Sequence, residues 1–202
     1  MTMLLLFASL FVTPAHAGGI TDALKSSYAY EAQGKYAEAL AAITGQAATG
    51  DSLYLVAVRR GWLNYLAGQH ADAVLAYKEA LALHPRAVEA LVGQAAPLIA
   101  LKRWPEAQTA CTQALEIAPG NYLAASRLAW VLYSQGKYAE AAIRYQSVVE
   151  QFPADLEMRA GLAWAWLRSG KVSEARQTFA WILEVSPTNA SAKDGLTAAG
   201  AK

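Results

Sequence analysis

The chain has 202 residues, of which 55% are apolar and 16% charged, with a net charge of +1. It is long enough for a sizeable core and too apolar for a disordered tract. It also lacks the basic excess with which nucleic-acid binders and polybasic membrane surfaces meet phosphate. Its single cysteine, Cys111, excludes an internal disulfide and any metal site built on paired cysteines.

Residues 1–17, MTMLLLFASLFVTPAHA, read as a secretory signal peptide. Met3 to Val12 is apolar apart from Ser9, and Pro14 and the small-x-small run Ala15-His16-Ala17 follow. A membrane span needs about 18–20 apolar residues, more than this run supplies. The segment carries no Lys or Arg before the apolar run, and no cysteine for lipid attachment stands near the cleavage point. The expectation is export to the periplasm with cleavage before Gly18. The alternative is an uncleaved N-terminus that tethers the chain to the inner membrane. After cleavage no stable membrane insertion is expected.

The remainder, 18–202, repeats itself. GKYAEALAAITGQAATGD from Gly34, GQHADAVLAYKEALALHP from Gly68, KRWPEAQTACTQALEIAP from Lys102, GKYAEAAIRYQSVVEQFP from Gly136 and GKVSEARQTFAWILEVSP from Gly170 start 34 residues apart, without insertion or deletion. A fixed period of this size marks stacked helical hairpins. The repeats fall at about 20–53, 54–87, 88–121, 122–155 and 156–189. First helices are predicted near 20–33, 54–67, 88–101, 122–135 and 156–169, and second helices near 37–48, 71–84, 105–118, 139–152 and 173–186. Gly34, Gly68, Gly136 and Gly170, with Lys102 in the third repeat, occupy the turn, where a left-handed residue closes a helix. Pro85, Pro119, Pro153 and Pro187 stop four second helices. The first repeat lacks that proline and carries Gly45 and Gly50, so it reads as a degenerate end repeat. Residues 190–202 read as a short, fraying capping helix with Asn189 as its cap.

Small residues set the hairpin. Ala39, Ala73, Ala107, Ala141 and Ala175 recur on the second helices, opposite Ser27, Gly61, Ala95, Ala129 and Ala163. Two helices reach the short end of the 8–10 Å spacing only where both offer small side chains. Ile43, Tyr77, Cys111, Tyr145 and Phe179, four residues further on, are expected between adjacent pairs. Cys111 is therefore a small buried hydrophobe. Pro97 falls inside a first helix, near Gly93, where an interior proline costs about 3 kcal/mol; it is read as a tolerated local irregularity, the alternative being a kink between the two aromatic stations.

These marks resemble the tetratricopeptide repeat: the 34-residue period, a small residue in each helix, the post-turn residue (Tyr36, His70, Trp104, Tyr138, Val172) and the closing proline. The resemblance covers residues 20–187. The early Trp of that family is absent, with Ala23, Ala57, Leu91, Ala125 and Arg159 in its place. Arg60 and Gln94 stand where leucine is usual. The resemblance implies an all-α, right-handed superhelical solenoid of five helix-turn-helix units plus a cap. It also implies that one stripe of the first helices lines a concave groove for a peptide or a partner helix. On that stripe stand Tyr28, Arg59, Trp62, Tyr65, Arg127, Trp130, Tyr133 and Trp164.

The second and fourth repeats share Tyr-Leu, Arg, Trp and Tyr at matching positions, and the third and fifth share Glu89/Glu157 and Gly93/Gly161. A 68-residue period thus overlies the shorter one. Core packing is expected to need only the shorter. The longer is then either a duplicated pair of repeats or two equivalent Arg-Trp-Tyr stations. Trp and Tyr are favoured anchors, and Arg offers a fork to a carboxylate.

No catalytic constellation is present in the sequence. Glu38, Asp72, Glu106, Glu140 and Glu174 stand where the helix dipole favours an acid, and no histidine pair has metal spacing. No enzyme, cofactor or metal site is expected. Lys25 is the only lysine on the stripe and no Asn lies there, which argues against the Asn/Lys clamp that chaperone-tail binders of the family use. The expected function is a non-catalytic scaffold or adaptor for another protein, in periplasmic assembly or secretion. The other readings are a glycan strand stacked along the aromatic stripe, and self-association through the groove.

Overall fold

The computed structural model describes residues 19–200, so the predicted signal segment 1–17 lies outside the described residues. Eleven helices make up the described chain: α1 (Ile20–Glu31), α2 (Tyr36–Ile43), α3 (Asp51–Leu66), α4 (His70–Leu83), α5 (Val88–Ala100), α6 (Trp104–Ile117), α7 (Tyr122–Ser134), α8 (Tyr138–Gln151), α9 (Leu156–Arg168), α10 (Val172–Val185) and α11 (Ala190–Gly200). Each packs on its neighbours in the chain. The backbones of the odd-numbered helices also approach one another in sequence, whereas those of the even-numbered ones stay further apart. The solenoid is therefore more crowded on the side of the first helices, which is its concave side.

The punctuation acts as the residues dictate. Gly34, Gly68, Gly136 and Gly170 turn at φ of 72°, 75°, 77° and 93°. Lys102 fills the same place at φ 57°, the only non-glycine residue with positive φ among those described. Before the prolines, His84, Ala118, Phe152 and Ser186 leave the helix at φ near −130°, because a residue preceding proline is pushed out of the helical region. Asn189 caps α11 by accepting from the Ala192 amide at 2.9 Å.

All five second-helix alanines are fully buried, as are Ser27, Ala95, Ala129 and Ala163 opposite them. Gly61 completes the series with its Cα face against the Tyr77 ring, where an added Cβ would lie 2.8 Å from ring carbons. Ile43, Tyr77, Cys111, Tyr145 and Phe179 are all buried. Burial pushes the Cys111 thiol up to about 11, against the opposing charge of nearby Arg127.

Core packing, contrary to expectation, uses the 68-residue period. Where a second helix presents the ring of Tyr77, Tyr145 or Phe179, the next first helix presents Gly93, Gly161 or Gly195. A Cβ at these glycines would come within 2.4, 2.6 and 2.2 Å of the ring. Where the second helix presents the shorter Ile43 or Cys111, the same position carries Arg59 or Arg127. Bulk is exchanged between neighbouring repeats, and the exchange alternates through the first four junctions.

Two local expectations are revised. The second helix of the first repeat stops at Ile43, well short of 48, because Gly45 (φ 73°) and Gly50 (φ 56°) break it. The third helix begins at Asp51, ahead of 54. Pro97, by contrast, is accommodated as expected, buried inside α5, which runs unbroken from Val88 to Ala100. At the two unusual positions, Arg60 turns outward to pair with Glu79 at 2.8 Å, and Gln94 is buried.

Lys102→Gly removes a left-handed cost of about 1 kcal/mol and is expected to raise the urea midpoint by a corresponding amount. Cys111→Tyr is expected to cost about 1–3 kcal/mol by overpacking. In an Arg127→Gly background its cost falls, so that the double variant is at least about 1 kcal/mol more stable than additivity allows. Additive urea-derived values would show that these two sites do not exchange bulk.

Candidate functional site

Two aromatic stations face the concave side, with similar ring spacings but different tilts. Trp62 lies 6.0 Å from Tyr65, which lies 5.6 Å from the His70 ring. Trp130 stacks on Tyr133 at 5.9 Å, and Tyr133 meets Tyr138 edge-on at 5.2 Å. Each indole sits three residues before its phenol, one turn along the same helix face. The post-turn ring then props the phenol from the second helix. Tyr28, Trp62 and Trp130 are exposed, whereas Tyr65, Tyr133 and Trp164 are half-buried.

The arginines do not act as the free forks that the sequence suggests. Arg59 is 4% exposed. Its guanidinium lies 3.7 Å over the Tyr28 ring, donates to Ser27 Oγ at 3.1 Å and pairs with the Glu31 carboxylate. The other Glu31 oxygen accepts from Trp62 Nε1 at 2.6 Å. Burial alone would raise the Glu31 pKa. The hydrogen bonds from Trp62 and Arg59 and the charge of Arg59 outweigh it, so the carboxyl is held below its ordinary value. Arg127 is half-buried and donates to the Val92 carbonyl at 2.6 Å, because the repeat before it offers Ala95, Ala96 and Ile99 where the first repeat offers Ser27, Tyr28 and Glu31. Both guanidinium groups are held within the protein.

The stations therefore differ in what they leave open. The first is closed by Glu31, which ties down the Trp62 indole. In the second, Trp130 is 48% exposed and its indole N–H has no protein partner among the described residues. Beside it α7, α9 and α11 enclose a cavity of about 690 Å³, walled by Trp130, Tyr133, Trp164 and Tyr145, floored by Gly161 and edged by Glu157. Trp164 is fixed by donating Nε1 to Ser191 Oγ at 3.0 Å and by an edge contact with Phe179 at 5.4 Å. Glu31, Tyr145 and Glu157 escape the sequence reading. Both acids occupy positions of the stripe itself, and their place on it is the signal. Tyr145 belongs to the buried series, and only the missing side chain at Gly161 lets it reach the groove.

A second hollow, of about 790 Å³, lies at the edge of the solenoid around Tyr54, His84 and Glu89. Tyr54 donates to Glu89 Oε1 at 2.6 Å and meets His84 edge-on at 4.7 Å. Tyr122 repeats the arrangement with Asp155 at 2.6 Å and Phe152 at 4.9 Å. These groups satisfy one another as a packing corner between repeats. Among the described residues, no group of three His, Cys, Asp or Glu side chains gathers to hold a metal, and no helix is long and apolar enough to cross a membrane.

The sequence profile described as tetratricopeptide repeat matches residues 98–146 and 132–199, which together span half of the chain. The chain belongs to the tetratricopeptide repeat family. Its fold is that of a scaffold for protein–protein interaction. No curated protein matches the chain. Among solved structures it is similar to a tetratricopeptide repeat protein from Parabacteroides merdae, at 18% identity and a TM-score of 0.80, covering 89% of this chain and 72% of that one. It is also similar to MamA from Desulfovibrio magneticus, at 18% identity and a TM-score of 0.76, covering 87% and 99%. A further MamA structure aligns at 18% identity and a TM-score of 0.73, covering 82% and 90%. At these identities the likeness is one of fold.

Glu31→Gln leaves Arg59 buried with a weaker partner. It is expected to lower stability by about 1–3 kcal/mol, less than a fully buried pair would lose because Glu31 keeps some contact with water. Since the folded pKa of Glu31 is depressed, its contribution is present above the unfolded value near 4.5. It is lost as pH falls through the lower folded value. Urea melts of parent and variant should therefore converge on acidification. A gap that stays constant down to full protonation would show that the ion pair is not its source.

Proposed function

We propose that the protein is an exported, non-catalytic scaffold that binds a peptide or partner helix in its concave groove, and that it serves assembly or secretion in the periplasm. The observation that carries the groove reading is the second station. Trp130 is half in water with an unused indole donor, and it stands over a cavity walled by three further aromatic side chains. Large amphipathic rings held in place by their neighbours lose little freedom on binding, which is why Trp and Tyr dominate interface energetics. Family membership supports a partner that is a polypeptide. Export is supported by the apolar run Met3–Val12 and the Ala15-His16-Ala17 pattern before Gly18.

Affinity capture from envelope extract tests both parts. The bait is the mature chain from Gly18, compared with a Trp62→Ala/Trp130→Ala variant. Both tryptophans are partly exposed, so the variant should keep its helical circular dichroism. A polypeptide retained by the parent is expected to drop roughly tenfold or more with the variant, as truncating an anchor does. Equal retention by both would move the binding surface off the groove. N-terminal sequencing of the protein from its own cells should read Gly18-Gly19, and an intact Met1 would sink the cleavage.

A further inference from the structure

We infer that the cavity between α7, α9 and α11 receives a basic side chain, arginine in preference to lysine, from an extended segment of the partner polypeptide. This rests on the reading that the groove binds polypeptide, and it names the residue that the groove selects. Glu157 is the only charged side chain that lines the cavity. Its carboxylate is exposed and has no cation within 4.0 Å among the described residues. The nearby arginines are occupied elsewhere. Arg127 is bound to the Val92 carbonyl, Arg159 lies 4.5 Å over the Trp181 ring, and Arg168 lies over Tyr138 at 5.4 Å.

Tyr145 supplies a second acceptor. It is 3% exposed, lines the cavity, and its hydroxyl has no protein partner among the described residues. Tyr145 and Glu157 line the same cavity. The rings of Trp130, Tyr133 and Trp164 line it with them. A carboxylate, a phenol oxygen and flat electron-rich rings together form the environment of a guanidinium, which stacks through its plane and donates through its edge. A lysine ammonium meets the same charge but does not stack.

A sugar strand also stacks on indoles, but it needs free polar groups around the rings. The small polar groups of this cavity are committed within the protein. Ser126 Oγ donates to the Leu123 carbonyl, Ser191 Oγ accepts from Trp164, and Asn189 caps α11. What remains is the Glu157 carboxylate, the phenols of Tyr133 and Tyr145 and the Trp130 indole N–H, a set whose one full charge is negative and suits a cation.

The test uses the mature chain at up to millimolar concentration and two fluorescein-labelled nonapeptides, read by anisotropy. The peptides carry leucine two places either side of a central residue, which is arginine in one and its neutral isostere citrulline in the other. The arginine peptide is expected to bind roughly tenfold tighter, with the preference shrinking as salt is raised. In Glu157→Gln the preference should fall to about twofold or less without a change in melting. Tyr145→Phe, which keeps the ring against Gly161, should lose part of it. Equal binding of the two peptides overturns the inference and leaves the groove reading standing. A preference that survives Glu157→Gln overturns the site. Failure of both peptides, with a chitohexaose probe quenching tryptophan emission instead, overturns the inference and the polypeptide reading together.

Discussion

The whole solenoid depends on how closely the two helices of each hairpin approach. Alanine at one position of every second helix, with Ser, Gly or Ala opposite, removes the side chains that would hold the backbones apart. Once that distance is short, residues four places on have nowhere to go but the junction with the next repeat. Each junction then holds a fixed volume, because a packed interior tolerates neither surplus nor void. A ring from one side requires a bare Cα from the other. A short side chain leaves space that an arginine stem can enter.

That exchange shapes the groove. At the junctions taking Ile43 and Cys111, the position facing the next repeat carries Arg59 and Arg127, and the groove wall is filled by a long polar stem. At the junction taking Tyr145, Gly161 leaves the wall bare, and the phenol shows through it beside Glu157. The cavity is a by-product of core packing before it is anything else. Trp130 and Trp164 both line it, so the packing gap is bounded by rings as well as by Glu157. The rigidity comes with the origin, since neither Gly161 nor Tyr145 can shift without disturbing the junction.

Much of this was legible from residues alone. The period, the turn glycines with Lys102 among them, the closing prolines, the Asn189 cap and the buried small positions are local signals, and each acts through its own backbone or its immediate partner. What could not be read was which polar groups would find one another across repeats. The stripe showed Arg59 and Arg127 as twins, yet their surroundings are set by the preceding repeat, where Ser27, Tyr28 and Glu31 face one and Ala95, Ala96 and Ile99 the other. The longer period likewise looked dispensable to the core. Its meaning lies in pairs 16 residues apart, Tyr77 with Gly93 and Cys111 with Arg127, which no helical periodicity connects.

The contrast between the stations follows from one residue. Glu31 at the inner end of α1 takes both the Arg59 guanidinium and the Trp62 indole proton, so one carboxylate ties down both side chains of the first station. The equivalent of Glu31 two repeats later is Ile99, which can take neither donor. Arg127 then turns to a backbone carbonyl and Trp130 keeps its indole proton unused. A single acid-to-aliphatic difference thus makes one of the two matching stations a structural clasp and leaves the other with an unused indole donor at the surface.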